Sequence, residues 1–347
     1  MKFFQTERRT TSKLCVGNTE EEARDPVPKC SHGHALKFSR FDKKTGSERE
    51  FYACSSSRDR KICSLFYWAD DWKRKVRSGS FQDIRTMVSV EKPTKKYRFD
   101  SDLGVEALTD NSTNAQYLFD NESVDLICSV IDGYSQRYDS KRVLCIGTPF
   151  LHKRLLELRV ESVLLDEDER LTSVFPTSCI RFNMFNGNLY GNASPGDDFG
   201  VVVMDPPFHP ELLPALFKSL RSIFPSSLGN LVLFAFPYFH SVKVENAFDG
   251  LLKITDVRLT YRNHKKYTTG ERSPVRLFSS ENFSSFMRSL GDSSMYKLCE
   301  SCDSFAYKSN KHCDECNKCS SIAGKTGMFF HCKLCGKCVK QKHACIL

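Results

Sequence analysis

The chain has 347 residues and 40% hydrophobic content, which suits one core of roughly 150 to 180 residues with smaller modules beside it. Lys and Arg number 51 against 42 Asp and Glu, a formal charge of +9 that points to a polyanionic partner. The longest apolar run, Leu231 to Phe236, is far too short to cross a bilayer, and Met1-Lys2-Phe3-Phe4 leads straight into polar residues, so neither a membrane span nor a secretory signal is expected and the protein reads as soluble and intracellular.

Sixteen cysteines in such a compartment favour metal ligation over disulfides. After an N-terminal arm over residues 1–27, in which Cys15 has no visible partner, Cys30-x-His32 precedes a turn at Gly46, then Cys54 and Cys63. Three thiolates and one imidazole make a closed tetrahedral zinc site. Arg49, Phe51, Tyr52, Phe66, Tyr67 and Trp68 interleave with these ligands, and residues 28–72 thereby resemble the GRF-type zinc finger, a single-stranded nucleic-acid-binding module. Against that, a module this small needs about half of its rings for its own packing. A basic linker is expected over residues 73–110, with Lys73-Arg74-Lys75-x-Arg77, Lys92 and Lys95-Lys96-Tyr97-Arg98 tracking phosphates.

Strands alternate with helices from residue 142: strand 142–147, helix 150–159, strands 162–166, 179–182 and 200–204, helix 210–223, strand 230–236, helix 241–251, and strands 254–262 and 274–279. This order predicts an α/β fold with a doubly wound sheet. Cys128, Cys145 and Cys179 lie in apolar runs and read as core. The first strand ends in Ile146-Gly147-Thr148-Pro149, a glycine turn with proline at the first helical position, where helix N–H groups receive carboxylates. About twenty residues on, Ser162-Val163-Leu164-Leu165 ends in Asp166, the spacing at which nucleotide-binding sheets place a ribose-binding acid. Asn183, Met184 and Phe185 supply polar and aromatic groups suited to an adenine ring, whereas Asn186 to Gly196 reads as a flexible loop without chemistry.

The most telling motif is Asp205-Pro206-Pro207-Phe208, which follows the buried run Val201-Val202-Val203-Met204. Such a strand delivers a carboxylate to the carboxyl edge of the sheet, where open α/β folds bind ligands. The two prolines stiffen the loop and leave carbonyl oxygens free. A carboxylate and a carbonyl that each accept one N–H of an adenine amino group hold its nitrogen toward tetrahedral geometry, with Phe208 stacked on the base. An aspartate of ordinary pKa, about 3.9, is too weak to remove the proton first, so Asp205 orients the amine and stabilises charge. A plain turn after a strand is the bland alternative. His264, Lys265, Lys266 and Tyr267, after the strand that begins near Ile254, are candidates for a substrate or gating loop.

Nine cysteines and three histidines crowd residues 299–345, and their His-Cys step recurs after nineteen residues. Twelve ligands divide into three tetrahedral sites, interlocked as Cys299, Cys302, His312 and Cys319; Cys313, Cys316, His331 and Cys338; and Cys332, Cys335, His343 and Cys345. The pattern is similar to the cysteine-rich region of palmitoyltransferases, but neither their Asp-His-His-Cys nucleophile nor a membrane helix is present, so the module over residues 296–347 reads as structural zinc. Its nine lysines against four acids suit phosphate or protein docking, or simply a solvated face. About four zinc sites of three thiolates and one imidazole lower the net charge from +9 to about +5.

With these motifs in place, the segment from about Asn114 to Ser280, within a domain set at residues 111–290, resembles the class I S-adenosylmethionine-dependent methyltransferases of the D-P-P-F subgroup, and the three-part layout resembles the zinc-finger CCHC-type ribosomal RNA adenine-N6 methyltransferases. The resemblance implies methylation of one adenosine of large-subunit ribosomal RNA, with Asp205 to Phe208 as the catalytic loop. Gln116, Tyr117, Leu118 and Phe119, Ile146 and Gly147, Asp166, and Asn183 to Phe185 would hold the cofactor. It further implies a nucleolar and cytoplasmic monomer that works with helicase or ribosome-assembly factors and no membrane. One departure stands out: the first glycine motif contains only Gly147. Protein lysine methylation, as in a related D-P-P-F or D-P-P-Y group, and a zinc scaffold with an inactive core are the alternatives.

Overall fold

The computed structural model describes residues 13–14, 26–42, 46–57, 60–79, 117–140, 142–191, 193–264, 269–270, 273–282, 296–320, 329–340 and 345. The chain forms two compact units, one of residues 1–96, 181–194 and 209–223, the other of residues 97–180, 195–208 and 224–347.

In the first unit, β1 (Leu36–Asp42), β2 (Ser47–Ala53) and β3 (Phe66–Trp68) form an antiparallel sheet followed by α1 (Ala69–Arg77). The basic run expected to open a linker is the last two turns of α1, because Trp72 is buried and donates its indole N–H to Pro26 O at 2.6 Å. Lys92 and Lys95 to Arg98 lie outside the described residues, as does Cys15. The rings of Phe38, Phe51, Phe66 and Trp68 pack on one another, and the Arg40 guanidinium lies 4.8 Å from the Trp68 ring centroid. Most of the interleaved aromatics therefore serve the module's own packing, as a domain with so little core requires.

The sheet of the second unit runs in the order β6-β5-β4-β7-β8-β10-β9. These strands are β4 (Arg142–Ile146), β5 (Glu161–Asp166), β6 (Cys179–Asn183, whose first two residues belong here), β7 (Val201–Met204), β8 (Leu231–Pro237), β9 (Lys253–Arg258) and β10 (Val275–Ser279). β5, β4, β7 and β8 are parallel, and β10 is inserted antiparallel to both β8 and β9. Continuous burial of β7 and β8 explains why they read as unbroken apolar runs; β10 is equally buried but carries Arg276 and Ser279. Helices α3 (Pro149–Glu157), α4 (Arg170–Val174) and α6 (Ser241–Ala247) connect strands of this unit, while α5 (Leu213–Ile223), preceded by a 3-10 turn at Pro210–Leu212, belongs to the first.

Two departures from the periodicity have local causes. α6 ends four residues before the expected 251, where Asp249 and Gly250 both adopt positive φ. β9 ends at Arg258 rather than 262: Leu259 still donates its N–H to Val275 O at 3.2 Å, but Thr260 O accepts the Asp120 N–H and Tyr261 bridges to Phe119. Helix α2 (Asn121–Tyr138) is absent from the sequence reading, yet its signals are present: Asp120 caps it by accepting the Ser123 N–H at 2.9 Å, and Val124, Ile127, Cys128, Ile131 and Tyr134 recur on its buried face. Cys128, Cys145 and Cys179 are buried, and burial pushes each thiol up to about 12, which makes them inert core.

Candidate active site and metal centres

Strand register builds the site. Met204 is paired with Ile146, and Ile146 with Leu165, so the next residues, Asp205, Gly147 and Asp166, stand on one rank at the carboxyl ends of β7, β4 and β5. Two interstrand spacings separate the outer pair, roughly 10 Å of rim. The Asp205 N–H donates to Ile146 O at 3.1 Å and the Gly147 N–H to Leu165 O at 3.0 Å, which locks this rank together. Gly147 has φ +67, a conformation that a side chain resists.

Asp205 does not have the ordinary carboxylate pKa that its residue type suggests. Desolvation raises it well above the usual range, opposed by the hydroxyl of Tyr261, which donates to Asp205 Oδ1 at 2.9 Å. Tyr261 is fully buried, and its ring lies 5.2 Å from Phe119 and 6.4 Å from Phe208. In sequence Tyr261 falls only near the end of the expected strand 254–262, and nothing in its local pattern marks it, because the isolated bridge to Phe119 spans more than 140 positions. Leu118 donates its N–H to Asn263 Oδ1 at 2.8 Å and accepts the Arg262 N–H at 2.9 Å. The Tyr117 and His264 rings meet at a tilt of 57° with centroids 4.6 Å apart. The structure thus joins the segment expected to cover a cofactor with the start of the expected substrate loop. Gln116, Lys265, Lys266 and Tyr267 lie outside the described residues.

Three features of the rim fit the cofactor that the fold implies. Burial raises Asp166 to about 7, a carboxyl suited to accepting hydroxyl hydrogen bonds, and its Oδ1 also accepts the Asp168 N–H at 2.9 Å. Thr148 Oγ1 beside Gly147 is buried, with no oxygen or nitrogen hydrogen-bond partner among the described residues. The glycine turn itself opens α3, with Pro149 at its first position. Asn183, Met184 and Phe185 belong to the other unit. There the Asn183 amide donates to Ser55 Oγ at 2.8 Å, and the neighbouring Asn186, read as part of a loop without chemistry, donates to His32 O, His34 O and Ser55 Oγ at 2.8 to 2.9 Å. Asn188 and Leu189 pair with Asn183 and Phe182, and a Cβ on Gly33 would come within 2.6 Å of Asn188 Cβ. Segment 183–188 is therefore a clamp on the N-terminal zinc module. A cavity of about 320 Å³ opens between α2 and α3, lined by Asn121, Phe150 and Arg154 among others.

The metal centres follow from hairpin register. Cys30, His32, Cys54 and Cys63 converge with all ligand atoms within 4.8 Å of one another. At the C-terminus, His312 is the cross-strand partner of Cys319, and His331 of Cys338, which is why each pair is seven residues apart. Each hairpin gives that pair to one site and its turn cysteines to the next. Cys299 and Cys302 meet His312 and Cys319; Cys313 and Cys316 meet His331 and Cys338; Cys332 and Cys335 meet Cys345. His343 lies outside the described residues. Cys30–Cys54, Cys302–Cys319 and Cys316–Cys338 are separated by 3.8, 3.9 and 3.6 Å, near the edge of about 3.8 Å that a tetrahedral Zn–S bond length dictates. In the three complete sets the imidazole presents Nδ1 to the thiols. Three thiols and one imidazole are the donor set of structural zinc.

The sheet order, the rim of Gly147, Asp166 and Asp205, and the aromatic walls define a methyltransferase. A family model described as "Probable N6-adenine methyltransferase" matches residues 110–271. The rRNA N(6)-adenosine-methyltransferase ZCCHC4 of Xenopus tropicalis is 30% identical over 369 residues, covering 84% of this chain and 74% of that one. That of Homo sapiens is 28% identical over 379 residues, covering 86% and 72%. The chain belongs to this ZCCHC4 family. Among solved structures, the putative methyltransferase yhhF from Escherichia coli is 14% identical and covers 50% of this chain and 96% of its own, with a TM-score of 0.30.

Proposed function

We propose that the chain transfers the methyl group of S-adenosylmethionine to N6 of an adenosine in ribosomal RNA, with large-subunit RNA as the substrate. The observation that carries this reading is the shared rank of Gly147, Asp166 and Asp205, with the Tyr261 hydroxyl on Asp205. The cofactor supplies an electrophilic sulfonium methyl. Asp166 and the Gly147 turn, with Ile146 behind it, bind its ribose and amino-acid ends, and segment 116–119 covers it. Asp205 Oδ1 is engaged by Tyr261, which leaves Oδ2 to accept one N–H of the adenine amino group while the Pro206 carbonyl accepts the other. Pro207 keeps the loop rigid and Phe208 stacks on the base. As the methyl arrives, positive charge develops on nitrogen next to a half-buried carboxylate, where low dielectric strengthens the attraction. The proton passes to water after transfer, when the methylated nitrogen is a strong acid, since a carboxylate is too weak a base to take it from the neutral amine.

The zinc modules grip structured RNA on both flanks, and an unpaired or flipped adenosine enters beside Asp205. We read residues 28–72, 111–290 and 296–347 as finger, catalytic domain and C-terminal zinc module of a monomer that works in the nucleolus and cytoplasm with helicase or assembly factors. Among the described residues, no helix is long and apolar enough to cross a membrane. Labelled S-adenosylmethionine incubated with total RNA and, separately, with protein extract tests the reading. Label should enter RNA, and Asp205→Ala should abolish it while leaving RNA affinity nearly intact. Label in protein alone moves the assignment to lysine, and turnover by Asp205→Ala rejects the mechanism.

A further inference from the structure

Beyond Pro237, the chain at the carboxyl end of β8 continues as Tyr238-Phe239-His240 and enters α6. Three large apolar side chains here face solvent: Tyr238 is 40% exposed, Phe239 54% and Val242 68%. They are not an isolated patch. Phe208 of the catalytic loop lies 5.4 Å from Phe236, Phe236 lies 5.9 Å from His240, His240 lies 4.6 Å from Phe239, and Phe239 lies 5.6 Å from Tyr238. Ring contacts therefore run without interruption from the catalytic loop to the surface.

The outer end of this track is held rigidly. Tyr238 donates its backbone N–H to Pro274 O at 3.0 Å, and the buried Arg276 guanidinium lies 5.3 Å from its ring centroid, fixed by hydrogen bonds to Ser273 O and Val275 O. A ring held in this way keeps its orientation without a partner. Charge favours a polyanion, since Phe236 to Val244 contain no acid, the next residue, Glu245, is paired with Lys253, and Lys243 is exposed in the first turn of α6. An apolar surface for a folded protein needs no continuity with a catalytic loop, whereas a strand whose adenosine sits against Phe208 would find exposed rings for its neighbouring bases further along these contacts, beyond the buried Phe236.

We propose that Tyr238 and Phe239 form a stacking subsite for the unpaired RNA bases that flank the target adenosine. The proposal rests on the RNA reading above and deepens it. Each base would lie on an aromatic face while its phosphates meet Lys243 and solvent, a mode that tolerates sequence and requires single strands.

The test uses the full, zinc-loaded chain and two fluorescein-labelled 12-residue strands, one oligoadenylate and one abasic ribose-phosphate of equal charge. The wild type should bind oligoadenylate more tightly than the abasic strand. Phe239→Ala and Tyr238→Ala should each weaken oligoadenylate binding by roughly 5- to 150-fold and leave abasic binding unchanged. Phe239→Trp should retain the wild-type preference. Calorimetry with S-adenosylmethionine should give the wild-type affinity in every variant, which shows that the rim is intact. Oligoadenylate affinity unchanged in both alanine variants, as a protein-docking patch predicts, overturns the proposal. So do equal loss on both strands and a wild type that fails to distinguish them. Titration needs no turnover, so absence of methyl transfer to RNA would strike the reaction assigned above and leave this result readable.

Discussion

At Asp205 a single hydrogen bond sets the chemistry. Burial favours the neutral acid and the Tyr261 hydroxyl favours the carboxylate, so removing the hydroxyl raises the pKa further. Tyr261→Phe keeps the buried ring, and the acid limb of its kcat/KM profile should move to higher pH. At neutral pH its activity should fall on the order of 10-fold, the worth of one hydrogen bond to a charged group. An unmoved acid limb would mean that the phenol has no hold on the carboxylate. Asp166 gives a different signature, in stability. Its folded pKa of about 7 lies above the unfolded value of about 3.9. The folded state therefore holds an extra proton between these values, and the stability contributed by that proton is complete below about pH 3.9 and lost as pH rises through 7. Without cofactor, the denaturation midpoint should fall between pH 5 and 8 by a smaller amount in Asp166→Asn than in the wild type. Equal slopes would remove Asp166 as the source. The acids themselves were legible from strand-end position, but Tyr261 was not, because its partner is distant in sequence.

At the scale of elements, the end of β9 joins the C-terminal zinc module to the catalytic domain. That module contributes β11 (Tyr296–Cys299) and β12 (Ser304–Tyr307), an antiparallel pair. Asp256 accepts the Tyr307 N–H at 2.6 Å and the Asn310 amide, and Arg258, buried against the Tyr307 ring at 3.8 Å, donates to Asn310 Oδ1 at 3.1 Å. The Tyr296 hydroxyl accepts the Arg258 N–H at 3.0 Å. Arg276, packed nearby, is lowered to about 10 by desolvation and by Arg258, so the acid at 256 offsets two buried cations. Asp256→Ala leaves N–H donors buried without an acceptor, and should cost about 1–3 kcal/mol. Thermal unfolding should shift down, and zinc from Cys299, Cys302, His312 and Cys319 should pass faster to a chromogenic chelator. An unchanged release rate would uncouple the module from β9. In sequence, β9 was visible as a strand, but nothing local explained its polar residues; packing against residues 296–310 accounts for Asp256 and Arg258 there, with Arg276 beside them on β10.

For the whole molecule, two kinds of stabilisation coexist. The sheet unit has a large apolar core around β7, β8 and β10, which Tyr296, Phe305 and Tyr307 join, whereas the N-terminal zinc module has only a small cluster around Tyr52, Leu65 and Trp72. Chelation should therefore unfold the modules and leave the sheet able to bind S-adenosylmethionine. Metal analysis should return about four zinc ions per chain, and a value near three would show that Cys332, Cys335 and Cys345 lack their fourth ligand. Zinc ligation was readable in advance because a hairpin imposes its own spacing: His312 and Cys319 are cross-strand neighbours whatever surrounds them. The order of the central strands and the acids at their ends were readable for the same reason, since alternation, burial and strand termini are local properties. Tertiary structure alone decided that Tyr261 meets Asp205, that Asn186 clamps the finger, and that Tyr238 and Phe239 continue the ring contacts of Phe208. Each of these depends on which segments meet across the fold, and a linear pattern carries no record of distances between residues that only the folded backbone brings together.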